Sequence, residues 1–460
     1  MLGTEKALGL TERPPRDGPG HRCHAHVPEA ADEGPPGRDD VRVGSVRGWQ
    51  ADDLGPAPDD DRDPVAGVQV DGHRDRDEPE RDSPGRPHHK SSRGMPHPLR
   101  MRPTRPRTRL DEGVTRVASM NRTTPPRPLD VEALFPELAA HRGTTTRLHP
   151  RPGRPGVSES SVGGPMLWPA DEPWPVCTEV HGRGRGRRLE DVRRRREVLA
   201  AAYAREPYEG LTEEELRLVE ELEREHLVPG ASENDPLPMI GLAQLYARDV
   251  PDLPAGPGGA DLLQVFWCPF DAHRPTGYST LLHLRWRRAA EVADVLTSPP
   301  RPEVVGYEGY VPEPCALHPE QVVTYPFAGL LPEDLCARID AWEEALEEEA
   351  EEQEDEADPV AYQYDLSIPP GWRAGGYASW HKTDPYPMDC PTCATPMTLL
   401  LTVDTSEWDG GTGSWTPLED QGLHPHPAAV PTGVVVGNHG ELNVFTCPAD
   451  PGHPPRWSVQ

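Results

Sequence analysis

Residues 1 to 119 contain no Phe, no Tyr, no Ile and no Asn, and Trp49 is their only Trp. A segment without large apolar side chains cannot offset the entropy of ordering its backbone, so this arm is expected to be disordered. A second reading stays open beside it. Met120-Asn121-Arg122-Thr123 opens ordinary coding-like sequence, and what precedes it resembles GC-rich DNA translated upstream of a start. On either reading the arm carries no site. Its first residues, MLGTEKALGL, lack the apolar core, basic flank and small-residue cleavage site of a secretory signal. Nowhere does an apolar run approach the ~20 residues of a membrane-spanning helix. The eight Cys are thinly spread, so the expected location is the cytoplasm, with thiols reduced.

Basic charge is scarce as well. The chain has 77 acidic and 47 basic side chains, a formal net charge of −30. The arm holds 22 acidic and 20 basic residues, which leaves 55 and 27 for the rest. Such an excess argues against a dedicated nucleic-acid binder, which needs a basic face against phosphate. One tract runs the other way. Gly182-Arg183-Gly184-Arg185-Gly186-Arg187-Arg188, continuing through Arg193 to Arg196, resembles RNA-binding Arg/Gly segments. The simpler reading is a solvated insertion, or a counter-charge to the acidic run Glu347 to Asp358.

What the chain does contain begins after Met120. Leu129 to Arg142 reads as a short helix capped by Asp130 and kinked at Pro136, and a Pro/Gly/Thr/Ser-rich linker follows to Ser161. Leu211 to Leu227 reads as a helix with a Thr212/Glu215 capping box. Leu335, Ile339, Trp342 and Leu346 form one apolar stripe of a later helix. Strands are expected at 261–268, 281–286, 322–327, 397–403, 434–436 and 442–447. The resulting parse is an arm (1–119), a helix and linker (120–160) and one domain (161–460).

That domain repeats itself. Gly163-Gly164, Trp168, Pro173-Trp174-Pro175 and Cys177 match Gly375-Gly376, Trp380, Pro385-Tyr386-Pro387 and Cys390. Pro238-Met239 then matches Pro396-Met397, and Val265-Phe266-Trp267-Cys268-Pro269 matches Val444-Phe445-Thr446-Cys447-Pro448. Three blocks in one order imply an internally duplicated α+β fold. Its halves, about 161–310 and 320–460, would be two pseudo-symmetric, mostly antiparallel β units with flanking helices. The order GGPMLW, PWPVC, PMIGLAQL and LLQVFWCP, closing with PMTLLL and ELNVFTCP, resembles the YwqG-like family, a bacterial domain of unknown function. The resemblance covers roughly Ser161 to Gln460. It implies an α+β fold with internal repetition, and no activity, cofactor or substrate.

The best chemical constellation is Cys390-Pro-Thr-Cys393 with Cys447 and His453. A two-residue gap lets both thiolates of such a knuckle face one ion, and three Cys with one His form an ordinary zinc set. The first half offers a weaker parallel: Cys177 with His181, and Cys268 with His273. Four protein ligands leave no open position, so the zinc would be structural. The bland alternative makes Cys268 and Cys447 small core residues and the histidines surface loop residues.

An enzyme would centre on His381 and Asp384, as base and orienting partner of a hydrolase in a cleft between the halves. Asp384 matches Glu172 in the first half but His381 matches Pro169, and a carboxylate there is expected to bond turn amides. The recurring aromatics Trp168, Trp174, Phe266, Trp380, Tyr386 and Phe445 read as core and turn packing. A cleft between the halves would suit a peptide, protein or small-ligand partner. The leading expectation is therefore a binding or scaffold module.

Overall fold

Short runs rich in Leu, Val and Thr pair here into two sheets whose inner faces share one aliphatic core. A computed structural model describes residues 121–181, 186–205, 210–224, 234–271, 280–353, 358–423 and 428–460. The arm, His273 and the Arg/Gly tract from 182 to 185 lie outside the described residues. Every described residue belongs to one compact unit.

In chain order the strands are β1 (Gly143–Arg147), β2 (Arg151–Pro152), β3 (Ser161–Val162), β4 (Val176–Cys177), β5 (Arg187–Arg188), β6 (Leu237–Pro238), β7 (Ile240–Tyr246) and β8 (Leu262–Trp267). There follow β9 (Leu282–Arg287), β10 (Val304–Val305), β11 (Cys315–Ala316), β12 (Glu320–Thr324), β13 (Arg373–Ala374), β14 (Thr398–Asp404), β15 (Glu441–Thr446) and β16 (Arg456–Val459). One six-stranded antiparallel sheet has the order β12-β1-β13-β14-β15-β16, and the other β2-β11-β3-β7-β8-β9.

The two sheets agree in detail. Ile240 faces Trp267 and Ala243 faces Val265, with a register shift between Gly241 and Ala243. Thr398 faces Thr446 and Leu401 faces Val444, with the shift between Leu399 and Leu401. Gly163 N–H donates to the Leu242 carbonyl at 2.8 Å, and Gly375 N–H to the Leu400 carbonyl at 3.2 Å. Both glycines hold a left-handed φ, +62° and +67°. A Cβ on either would fall within 3 Å of a backbone carbonyl oxygen, that of Glu313 or of Asp252. Only glycine fits such a place.

Leu242, Leu245, Leu263, Val265 and Trp267 of one sheet pack with Leu400, Leu401, Val403, Leu442 and Val444 of the other in a single buried cluster. Fully burying side chains of this kind stabilises by about 1.5–3 kcal/mol each. Among the described residues, apolar side chains fill the space between the two sheets where a cleft was expected.

The segment read as a linker is a second correction. Gly143–Arg147 is an internal strand between β12 and β13. Its threonines are β-branched and suit a strand. Their hydroxyls are bonded: Thr145 donates to the Ala374 and Gly375 carbonyls, and Thr146 to Asp252. The halves are thus not separate along the chain, since β1 joins the sheet built mainly from 320–460 while β2 and β11 join the other.

Among the described residues four α-helices complete the fold: α1 (Val131–Leu134), α2 (Leu189–Arg205), α3 (Glu213–Leu222) and α4 (Glu333–Glu352). Asp130 caps α1 through the amides of Glu132 and Ala133, and a 3-10 turn follows from Pro136. The Thr212/Glu215 capping box opens α3. Helix α4 continues to Glu352, into the acidic run, and buries Leu335 and Ile339 against Phe135, Tyr325 and Tyr362. Val434 and Val436 are core residues outside any named strand. No helix among the described residues is long and apolar enough to cross a membrane.

Candidate metal centres

The outer face of each sheet carries its own apolar layer, and each layer holds a group of Cys and His. On one, Met166, Trp168, Met239, Phe266 and Phe270 surround Cys177 and Cys268. On the other, Trp380, Met388, Met397, Leu399 and Phe445 surround Cys390 and Cys447. The same local pairing raises the first Cys in both. Val176 pairs with Pro238 and Asp389 with Pro396. Met239 N–H donates to the Pro175 carbonyl at 3.0 Å, and Met397 N–H to the Met388 carbonyl at 2.8 Å. The second Cys follows the last residue of β8 or β15 in each case.

In the second half Cys390, Cys393, Cys447 and His453 converge, with all four ligand atoms within 4.8 Å of one another. Cys393 Sγ lies 3.5 Å from Cys447 Sγ. His453 Nδ1 lies 3.4 Å from Cys390 Sγ and 3.7 Å from Cys393 Sγ. A tetrahedral zinc with Zn–S of about 2.3 Å and Zn–N of about 2.0–2.1 Å separates two sulfurs by about 3.8 Å and a sulfur from a nitrogen by about 3.6 Å. The group could hold a metal such as zinc with little adjustment.

The turn that presents two of these ligands is tightly closed. Ala394 N–H donates to the Cys390 carbonyl and Cys390 N–H to the Thr395 carbonyl, both at 2.9 Å. Ala394 takes φ +55°, a left-handed conformation that costs an L residue energy. Hydrogen bonds from the Thr395 side chain and backbone, with others from neighbouring thiols, bring the Cys393 thiol down to about 6. Burial pushes Cys447 up, against the amides of Asp450 and Ala449 that bond its sulfur. The other ring nitrogen of His453, Nε2, stands 3.7 Å from Asp450, the kind of carboxylate that orients a ligating imidazole.

In the first half Cys177, His181 and Cys268 converge, and all three are buried. His181 Nε2 lies 3.5 Å from Cys177 Sγ and 3.2 Å from Cys268 Sγ, and its ring packs 5.0 Å from that of Phe270. A surface histidine does not fit this placement, since His181 is 3% exposed. His273, the expected fourth residue, lies outside the described residues.

The hydrolase pair is not assembled. His381 stacks parallel to Tyr364 with ring centroids 6.1 Å apart, and its edge meets Phe327. Asp384 is exposed. Both lie on the segment covering the outer face of a sheet, not between the sheets. Glu172, matched to Asp384, bonds arginines rather than turn amides: Arg287 at 3.2 Å and Arg285 at 3.0 Å. The arginines of the insertion also have other partners than expected. Arg187 and Arg195 pair with Glu308, and Arg196 with Glu313 and the Gly433 carbonyl. For these three arginines those partners stand in place of the counter-charge expected at 347–358.

Sequence reasoning missed a buried charged group near β1. Arg147, His149 and Arg151 recur at strand spacing and meet Glu320, Glu407 and Asp420. His149 lies 3.4 Å from Glu320 and 3.6 Å from Glu407. Burial lowers Arg147 to about 10. The period-two alternation of charge in Arg-Leu-His-Pro-Arg was the available signal.

No known protein family matches the chain, and no curated protein matches it.

Proposed function

We propose that this chain is a non-catalytic binding or scaffold module of the YwqG-like kind, a duplicated α+β unit pinned in each half by a structural zinc ion. The observation behind this reading is the recurrence of a matched pair of Cys, each pair met by a His, at corresponding places on two sheets. Chance burial of cysteine accounts for one such group more easily than for two. Thiolate and imidazole are the donors zinc prefers, and the four ligands of the second cluster fill a tetrahedron and leave no position for water or substrate.

The ion's work is mechanical. In the second half it ties the turn at 390–393 to the loop after β15. In the first it ties the start of the insertion to the ends of β4 and β8. Cross-links of this kind couple metal affinity to folding.

The hydrolytic alternative has no comparable support, given the exposed Asp384 and the stacked His381. Elemental analysis of the purified full chain tests the metal reading. Zinc near two equivalents supports both centres, and less than about a tenth of an equivalent rejects them.

A further inference from the structure

The two clusters differ in exposure. Cys177, His181 and Cys268 are all buried. In the second cluster Cys390 and Cys447 are buried, but Cys393 is exposed and the His453 side chain keeps 24% of its surface. An oxidant in solution can therefore reach one sulfur of the second centre and none of the first. That sulfur has a neighbour in place, since Cys393 Sγ and Cys447 Sγ are 3.5 Å apart.

We propose that Cys393 and Cys447 form an oxidation site at which a peroxide links the two sulfurs and expels the metal of the second centre, while the first centre keeps its own. This rests on the zinc reading above. The Cys393 thiolate attacks one peroxide oxygen, the O–O bond breaks, and a sulfenic acid forms with loss of hydroxide. The Cys447 thiolate then attacks that sulfur, the S–S bond forms, the S–O bond breaks, and a second hydroxide leaves. Two electrons pass from the thiolates to the peroxide, and two protons from solvent complete two waters. The sulfurs must close from 3.5 Å to about 2.05 Å, which side-chain rotation at the exposed turn can supply. Zinc is left with Cys390 and His453, half of its ligand set.

The full chain, loaded with zinc, is treated with hydrogen peroxide while a chromophoric chelator reports free zinc, and the disulfide is mapped by peptide mass. Total zinc is measured first after acid denaturation, and a value below about a tenth of an equivalent rejects the zinc reading itself. With two equivalents bound, the expected result is fast release of one, a Cys393–Cys447 disulfide, and release at least tenfold slower in Cys393→Ser. Release of both ions at one rate overturns the proposal. So does retention of both, or a disulfide joining other residues. If Cys393→Ser cannot be loaded at the second centre, the stoichiometry and the mapped disulfide of the unaltered chain decide.

Discussion

His181 Nε2 lies 3.2 Å from Cys268 Sγ although 87 residues separate them. The contact joins the start of the insertion to the end of β8 inside an apolar layer, where an unpaired imidazole would be costly. His181→Ala is expected to remove one zinc equivalent, to leave the second centre loaded, and to lower stability by at least about 3 kcal/mol. Zinc content and urea unfolding measure both effects. Two ions retained in the variant would show that His181 is not a ligand.

Gly163 and Gly375 occupy matching turns with positive φ and a carbonyl oxygen within 3 Å of the Cβ each lacks. Gly163→Ala and Gly375→Ala should each destabilise by about 2–4 kcal/mol, combining left-handed strain with the clash. Similar losses in both variants follow from the shared geometry. A loss confined to one would mean that the two turns are not held alike.

Ala394 meets no such obstacle, being exposed at φ +55°. Glycine removes a strain of about 1–2 kcal/mol there and gives back about 0.5–1 kcal/mol in backbone entropy. Ala394→Gly should raise the urea midpoint slightly, and Ala394→Val should lower it. The reverse order would place the left-handed turn in error.

Asp404 faces Glu441 across β14 and β15. The residue keeps some solvent contact, but its carboxyl is enclosed and accepts the amides of Gly371 and Ser406. Burial, then the neighbouring Glu441, push it up to about 8. The folded chain therefore holds a proton that the unfolded chain, with an Asp near 3.8, releases. Stability should fall as pH rises from about 4 to about 8, by at most about 1.4 kcal/mol per pH unit from this group. Asp404→Asn should flatten that slope, which urea midpoints at pH 5 and 8 would show. An unchanged slope assigns it elsewhere.

Much of this architecture is legible in the sequence where burial is two-sided. β8 and β15 are buried along their whole length, so their apolar runs stand out, and their expected bounds differ from the observed ones by a residue. The matched blocks fall on matched registers because the same residues must face the same neighbours. The Cys positions are legible for a similar reason, since a knuckle spacing and a strand end each constrain a sulfur. What escapes notice is polar. Gly143–Arg147 has no aliphatic residue, yet it is internal because its hydroxyls find partners, Thr145 at backbone carbonyls and Thr144 and Thr146 at Asp252. The insertion arginines look solvated until their partners at Glu308 and Glu313 are seen, over a hundred residues away. Long-range ion pairs leave no local pattern.

Zinc K-edge X-ray absorption on the purified full chain tests the central claim most directly. A first shell dominated by sulfur at about 2.3 Å with nitrogen at about 2.0–2.1 Å is expected. A shell of oxygen and nitrogen alone, without sulfur, would contradict it.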